Sequence, residues 1–250
     1  MYDQTAGMTY LGALWKLLPR VKLGPTPSIL DVGCGTGINI LEAARVLGPC
    51  KRLLGVDLAP GMVEEARKKA AAAGVPATFV VGDADALEVE EGSFDLILCN
   101  SVYHWFPDRR HTVAEFARVL RPGGQVVINC VASPGFEEWI AVVDATYKKL
   151  FGGPRDWVLP LPTPGELMSD LRAAGLFVEH LEYEMDPAPV MDAQAFLRMM
   201  TVIAPTWISG VPAGGARAFM AAVTQALSPV GGRPFFVTGA GVASVSRKMN

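Results

Sequence analysis

The sequence predicts an α/β fold: a doubly wound, mostly parallel sheet of seven strands, with an antiparallel last strand. Three observations carry this. Short apolar runs rich in Val, Ile and Leu alternate with longer helical patterns, the rhythm of βαβ units. The first such run (Ile29, Leu30, Val32) feeds directly into a turn with three glycines in five positions, Gly33, Gly35 and Gly37, and then into a helical pattern. An acidic residue, Asp57, ends the next apolar run, 20 residues after Gly37. Strand, glycine turn, helix, strand and acid form the layout with which such sheets hold a nucleoside.

Taken in order, residues 2–20 place Met8, Leu11, Leu14, Trp15 and Leu18 on one face of an amphipathic helix ending at Pro19. Gly24-Pro25-Thr26-Pro27 is a stiff linker into the first strand. A helix follows from Ile38 to about Leu47, then a strand over Leu53–Asp57. Pro60 opens a helix over Gly61–Ala73, which stops at Gly74. Thr78–Val81 is a third strand, ending in Gly82-Asp83-Ala84-Asp85. After a polar loop (Glu88–Ser93), Phe94–Cys99 is a fourth, buried strand. Asp108 caps a helix running through Leu120, and Arg121-Pro122-Gly123-Gly124 ends it before a fifth strand, Gln125–Val131.

After Ala132 the rhythm changes. Phe136–Phe151 and Glu166–Ala174 are helical, Gly152–Pro164 is a proline-rich loop, and Phe177–Met185 alternates weakly as a strand. Residues 187–232 are helical in pieces and rich in methionine, and Phe235–Ser246 is a closing strand, antiparallel beside the sheet edge. The expected organisation is one domain over 1–250. Residues 28–132 form the cofactor-binding core. Residues 1–24, 133–165 and 187–232 form helical lid insertions.

The chain of 250 residues is 50% apolar, which supplies a large core. A net charge of −3 offers no basic footprint for nucleic acid or for an anionic membrane. No apolar run approaches the roughly 18 residues of a membrane span, and Asp3 stands where a secretory leader would be basic. The four cysteines form no CxxC pair and read as reduced, buried thiols. The expectation is a cytoplasmic protein, monomer or homodimer. No His, Asp or Glu cluster has metal-ligand spacing, so no metal is expected.

A glycine turn beside an acid suits NAD, FAD or S-adenosylmethionine alike. Asp31 narrows the choice. A carboxylate in an otherwise apolar strand end is costly without a partner. It would repel a dinucleotide pyrophosphate and welcome an amino-acid ammonium or a sulfonium.

The linked segments ILDVGCGTG (29–37), LLGVDLAPGMVEEAR (53–67), VVGDADAL (80–87), GSFDLILCNSVYHW (92–105) and EFARVLRPGGQVVI (115–128) resemble the class I S-adenosylmethionine-dependent methyltransferases, in family order and spacing. The resemblance covers roughly residues 29–131. NSVYHWFPD is most similar to small-molecule and carboxylate methyltransferases of the trans-aconitate and malonyl-carrier type. The resemblance implies a Rossmann-like sheet and S-adenosylmethionine as cofactor. Gly33, Cys34, Gly35 and Gly37 would then cradle the methionine and ribose portions. Asp31 would orient the ammonium, and Asp57 would accept from the ribose hydroxyls. Leu58 and Met62 would pack on the adenine, with Asp83 and the Ala84 amide reading its edge. Asn100 would face the methionine end.

For the transfer itself the protein must position the nucleophile and exclude water. A carboxylate acceptor needs no base, whereas a phenol or alcohol benefits from one. Of three histidines, only His104 follows the fourth strand at the edge where ligands bind. It is either a base or hydrogen-bond partner, or a packing residue of the cofactor shell. Tyr103 and Trp105 either line the mouth or belong to the core. Trp139, Trp157 and Trp207 fall, with Trp15, in the lid segments. They favour a hydrophobic or aromatic acceptor, or else build the lid's own core. The expected function is methyl transfer to an oxygen, hydroxyl or carboxylate, of a small hydrophobic metabolite. The rivals are C- or N-methylation, a cofactor-binding protein of this fold without methyl transfer, and an NAD-dependent oxidoreductase, which the absence of GxGxxG spacing disfavours.

Overall fold

The computed structural model describes residues 14, 16–155, 161–203, 205–208, 210–229 and 233–249. Seven strands form one sheet: β1 (Ser28–Val32), β2 (Arg52–Asp57), β3 (Thr78–Val81), β4 (Phe94–Asn100), β5 (Leu120–Val131), β6 (Leu176–Val190) and β7 (Phe235–Lys248). Their order across the sheet is β3-β2-β1-β4-β5-β7-β6. The first five pair in parallel, and β7 runs antiparallel to both β5 and β6. The chain winds outward from β1 to β3 and then returns to lay β4 on β1's other side. That reversal opens a crevice at the carboxyl ends of β1 and β4, the place where sheets of this kind bind ligands.

The local signals act where the chain placed them. β1 is buried along its whole length, with Ile29 on one face and Leu30 and Val32 on the other, as a central parallel strand requires, and Asp31 is its one charged residue. Helices α1 (Ile38–Leu47) and α2 (Pro60–Ala73) follow β1 and β2; Pro60 starts α2, and Gly74, in the left-handed region at φ 65°, ends it. Helix α3 (Arg109–Val119) is capped by the Asp108 carboxylate, which accepts from the His111 amide at 3.0 Å. Helices α4 (Glu137–Phe151) and α5 (Pro164–Ala173) follow, the latter opened by a reciprocal capping box between Thr163 and Glu166. Helices α6 (Ala193–Ile203) and α7 (Ala216–Leu227) come between β6 and β7.

Two expectations shift. Arg121-Pro122-Gly123-Gly124 does not precede the fifth strand but lies within it: Leu120 pairs with Phe94, and pairing resumes at Gln125 with Leu96 after an irregularity. Residues 187–190, expected in the lid, instead extend β6, with Pro187 opposite Thr238 and Pro189 opposite Phe236. An edge strand has one row of N–H groups without a ladder partner, so it tolerates prolines that a central strand would not.

The sheet has a core on each face. One packs Leu30, Ile97, Val126 and Ile128 against Phe116 of α3 and Leu167 and Leu171 of α5. The other packs Ile29, Leu98 and Val127 against Ile40, Val63 and the N-terminal Leu14 and Leu17. A third, separate core lies in the cap, where Trp139, Val143, Leu197, Trp207, Phe219 and Val223 come together. Among the described residues no helix is long and apolar enough to cross a membrane.

Candidate active site

The glycine turn is folded over the end of β2, because the amides of Gly33 and Cys34 both donate to the Val56 carbonyl, at 2.8 and 3.0 Å. Gly33 and Gly37 have positive φ, and a Cβ on either would strike Val102 or Phe79 inside 3 Å. Gly35 is different. At φ 52° its added Cβ would meet nothing within 4 Å. The turn is thus packed tight behind and bare in front, so a ligand can lie against Gly35. The Cys34 side chain is buried in the core and its thiol is pushed up by burial, so only its backbone faces this cradle.

Asp57, at the end of β2, accepts from the Gly35 amide through Oδ2 (2.7 Å) and from the Ala59 amide through Oδ1 (2.9 Å). It therefore ties the glycine turn to the start of α2. Each oxygen keeps a further lone pair for a ligand hydroxyl. Leu58 is 72% exposed beside it, and Met62 is half-buried on the first turn of α2. Asp83 is exposed and accepts from the Asp85 amide at 3.0 Å, with Ala84 half-buried between them. Asp85 in turn accepts from the Thr112 hydroxyl, which pins this loop to α3. The expected cofactor residues are brought together along one edge.

Asp31 is completely buried. Its Oδ1 accepts a long bond from the Asn39 side chain at 3.5 Å, and its Oδ2 has no partner. Burial pushes its carboxyl up to about 8, against the smaller opposing effect of Asn39. An orphaned buried carboxyl oxygen beside a bare glycine turn fits the ammonium of an amino-acid-bearing cofactor.

Sequence reasoning missed the support behind it. The Asn100 amide donates to Asn39 Oδ1 at 3.2 Å, and the Asn129 amide donates to Asn100 Oδ1 at 2.8 Å. Three asparagines thus form a chain across α1, β4 and β5 that ends on Asp31. The available signal was the one that singled out Asp31: a polar residue inside an apolar strand, here Asn129 within VVINCV.

The expected acceptor residues separate. His104 lies in a short 3-10 turn (Tyr103–Trp105) after β4, is 5% exposed, and its Nδ1 has no hydrogen-bond partner. Burial and, less, the Arg109 charge push it down to about 4, so the ring is neutral. Tyr103 is fully buried and its hydroxyl donates to Asp170 of α5 at 2.7 Å; it belongs to the core and not to the mouth. Trp105 is half-buried against the cap. Trp139 and Trp207 are fully buried against each other, ring centroids 5.5 Å apart and edge to face, and build the cap's own core. Trp15 and Trp157 lie outside the described residues.

A cavity of about 550 Å³ opens where the paired ends of β6 and β7 rise past the sheet beneath α6. Asn129, Phe136, Phe196, Met199 and Gly241 are among its walls, with carboxylates of β6 at the rim. Among the described residues no three His, Cys, Asp or Glu side chains gather to hold a metal ion.

Comparison with known proteins gives a consistent answer. A family model described as "Methyltransferase domain" matches residues 29–124. Nocamycin O-methyltransferase of Saccharothrix syringae is 34% identical over 201 residues, which cover 74% of this chain and 71% of that protein. Malonyl-[acyl-carrier protein] O-methyltransferase of Hahella chejuensis is 38% identical over 127 residues, half of this chain and 44% of that one. The YcgJ protein of Bacillus subtilis shares the fold with a TM-score of 0.69 at 21% identity, covering 96% of this chain and 99% of that one.

Proposed function

The chain belongs to the class I S-adenosylmethionine-dependent methyltransferases, and from that membership we propose that it methylates an oxygen of a small, hydrophobic metabolite. The observation that carries the acceptor class is the cavity: its walls are mainly apolar, and it adjoins the cofactor edge through Asn129. Relatives named for O-methylation of nocamycin and of a malonyl carrier support the oxygen.

Asp31 takes the ammonium of the cofactor, which supplies its orphaned oxygen with a charged donor. Asp57 receives the ribose hydroxyls while it holds the glycine turn shut behind them. Leu58 and Met62 cover the adenine, and Asp83 and the Ala84 amide read its edge. When bound, S-adenosylmethionine supplies a methyl group on a cationic sulfur. The chain's task is then to hold the acceptor oxygen in line and keep water out.

His104 enters this scheme as a hydrogen-bond partner at the cofactor edge and not as a base. A ring held near 4 takes up a proton too weakly to serve a hydroxyl at neutral pH. The test is mass spectrometry of a panel of phenols, alcohols, carboxylic acids and amines incubated with the enzyme and S-adenosylmethionine. Gain of one methylene mass on a hydroxyl or carboxyl compound is expected. Gain only on carbon or nitrogen compounds, or on none, sinks the assignment.

A further inference from the structure

The chain of amides has a direction, and its free end faces the cavity. A carboxylate only accepts hydrogen bonds. With Asp31 ionised against the cofactor ammonium, Asn39 must turn its Nδ2 to it and its Oδ1 away, as observed. Asn100 must then donate to Asn39, and Asn129 to Asn100. Each amide spends one of its two N–H donors on the next residue towards Asp31, and its oxygen is left facing away from Asp31. Asn129 is 7% exposed, lines the cavity, and its Oδ1 receives no hydrogen bond among the described residues. At the buried end of this cavity the Asn129 side chain thus has a carbonyl oxygen left to accept from a ligand.

The wall opposite has the matching charge. On one sheet face the register runs from Asn129 to Ala243 and on to Glu182. Two and four residues along β6, Glu184 stands opposite Gly241 and Asp186 opposite Gly239. Small residues on β7 thus leave room above the floor, and β6 borders it with carboxylates. Glu182 is met by Arg20 and His180, and Glu184 by Lys16 at 3.7 Å, all towards the surface. An anion entering here would face a carbonyl oxygen at one end and Asp186 and Asp192 at the other, while Lys16, which also lines the cavity, is paired with Glu184.

We propose that Asn129 is an acceptor-binding residue whose side-chain carbonyl receives the O–H of the methyl acceptor, so that the acceptor is an uncharged, hydroxyl-bearing apolar molecule and not a carboxylate. The proposal rests on the methyltransferase reading and narrows it, choosing the hydroxyl over the carboxylate. It also gives the amide chain a purpose. An ammonium on Asp31 reinforces the donor direction already seen in the chain, which presents the Asn129 carbonyl to the acceptor.

The experiment uses three flat apolar probes of one shape, 2-naphthol, 2-naphthoate and 2-methoxynaphthalene, titrated calorimetrically into the full chain with and without saturating S-adenosylhomocysteine. In the loaded protein 2-naphthol is expected to bind about tenfold or more tighter than either of the others. Asn129→Leu, and Asn129→Ser as a smaller replacement, should remove the advantage of 2-naphthol over 2-methoxynaphthalene. They should leave the weak binding of the latter in place. Three results overturn the proposal: 2-naphthoate binding as tightly as 2-naphthol, a naphthol advantage unchanged in both variants, or no binding of 2-naphthol at all. Failure to bind S-adenosylhomocysteine strikes the methyltransferase reading instead, and the ranking of probes without it still decides on Asn129.

Discussion

The cofactor edge and the cap hold their functional groups in opposite ways. At the cofactor edge the groups around the glycine turn are held by hydrogen bonds: Asp57 takes two backbone amides, Asp83 one, and the glycine turn hangs from Val56. The cap is held by rings. Trp139 packs on Trp207, Phe136 and Phe196, and Trp207 packs on Phe219. Hydrogen bonds are directional and fix one geometry for one ligand. Ring packing fixes a volume and leaves the chemistry inside it open. That difference supports the proposed division, one edge suited to an invariant cofactor and the other to a particular acceptor.

The largest expected effect tests whether the two regions are independent. Trp139→Ala removes the centre of the cap core and should cost about 3–5 kcal/mol of its stability. Hydrogen exchange should show α4, α6 and α7 losing protection while the strands β1 to β4 keep theirs. Affinity for S-adenosylmethionine, measured by calorimetry, should change little. A parallel collapse of cofactor affinity would show that the cap organises the cofactor edge as well.

Asp31 is the place where the cofactor edge departs from its own rule, since one oxygen is left without a partner. Asp31→Asn should lower affinity for S-adenosylmethionine by about a hundredfold, the loss of a charge-assisted bond of ~3 kcal/mol. The same change should stabilise the cofactor-free protein. Burial raises this carboxyl to about 8 in the folded state, above its value in an unfolded chain. The folded state therefore keeps a proton that the unfolded chain has released, and stability falls as pH rises from about 4 to about 8. Asp31→Asn should flatten that fall and raise the melting temperature near pH 8 by about 5 °C or more. In the wild type, cofactor affinity should rise over the upper part of the same window, because the ammonium needs the ionised form. Thermal melts and calorimetry across pH check both, and a flat wild-type profile would remove Asp31 from the ammonium site.

Asp57→Ala should weaken cofactor binding by about tenfold or more, measured by calorimetry, and lower the stability to unfolding by ~1–2 kcal/mol, because the Gly35 and Ala59 amides lose their acceptor together. The placement of this residue against the glycine turn was readable from the chain, because its spacing from the glycines is itself the geometry. The strand, turn, helix and acid lie within thirty residues, and local backbone rules bring them together. The proposed acceptor side was not readable in the same way. Its cavity joins Asn129, Phe136, the β6 carboxylates, α6 and β7, which meet only when β7 inserts between β5 and β6. Tryptophans in the lid segments left two outcomes open, aromatic walls or the lid's own core, and Trp139 and Trp207 take the second. Their size makes them the cap's core, and smaller residues line the space that remains.

The smallest expected effect concerns Tyr103, which shares its 3-10 turn with His104 and so sits one residue from the cofactor edge. Sequence position alone leaves it a candidate for the acceptor mouth. Its hydroxyl, however, donates to Asp170 on α5 at 2.7 Å, across the sheet face that α3 and α5 cover. The cavity belongs to the opposite face, with Val127, Asn129 and Ala243. Tyr103→Phe should therefore cost about 1 kcal/mol in stability, the net value of one hydrogen bond. It should change neither cofactor affinity nor the ranking of acceptor probes. Denaturant unfolding measures the first and calorimetry the second. A shift in acceptor binding without a loss of stability would place Tyr103 in the mouth after all, and would require the turn to move when the site is filled.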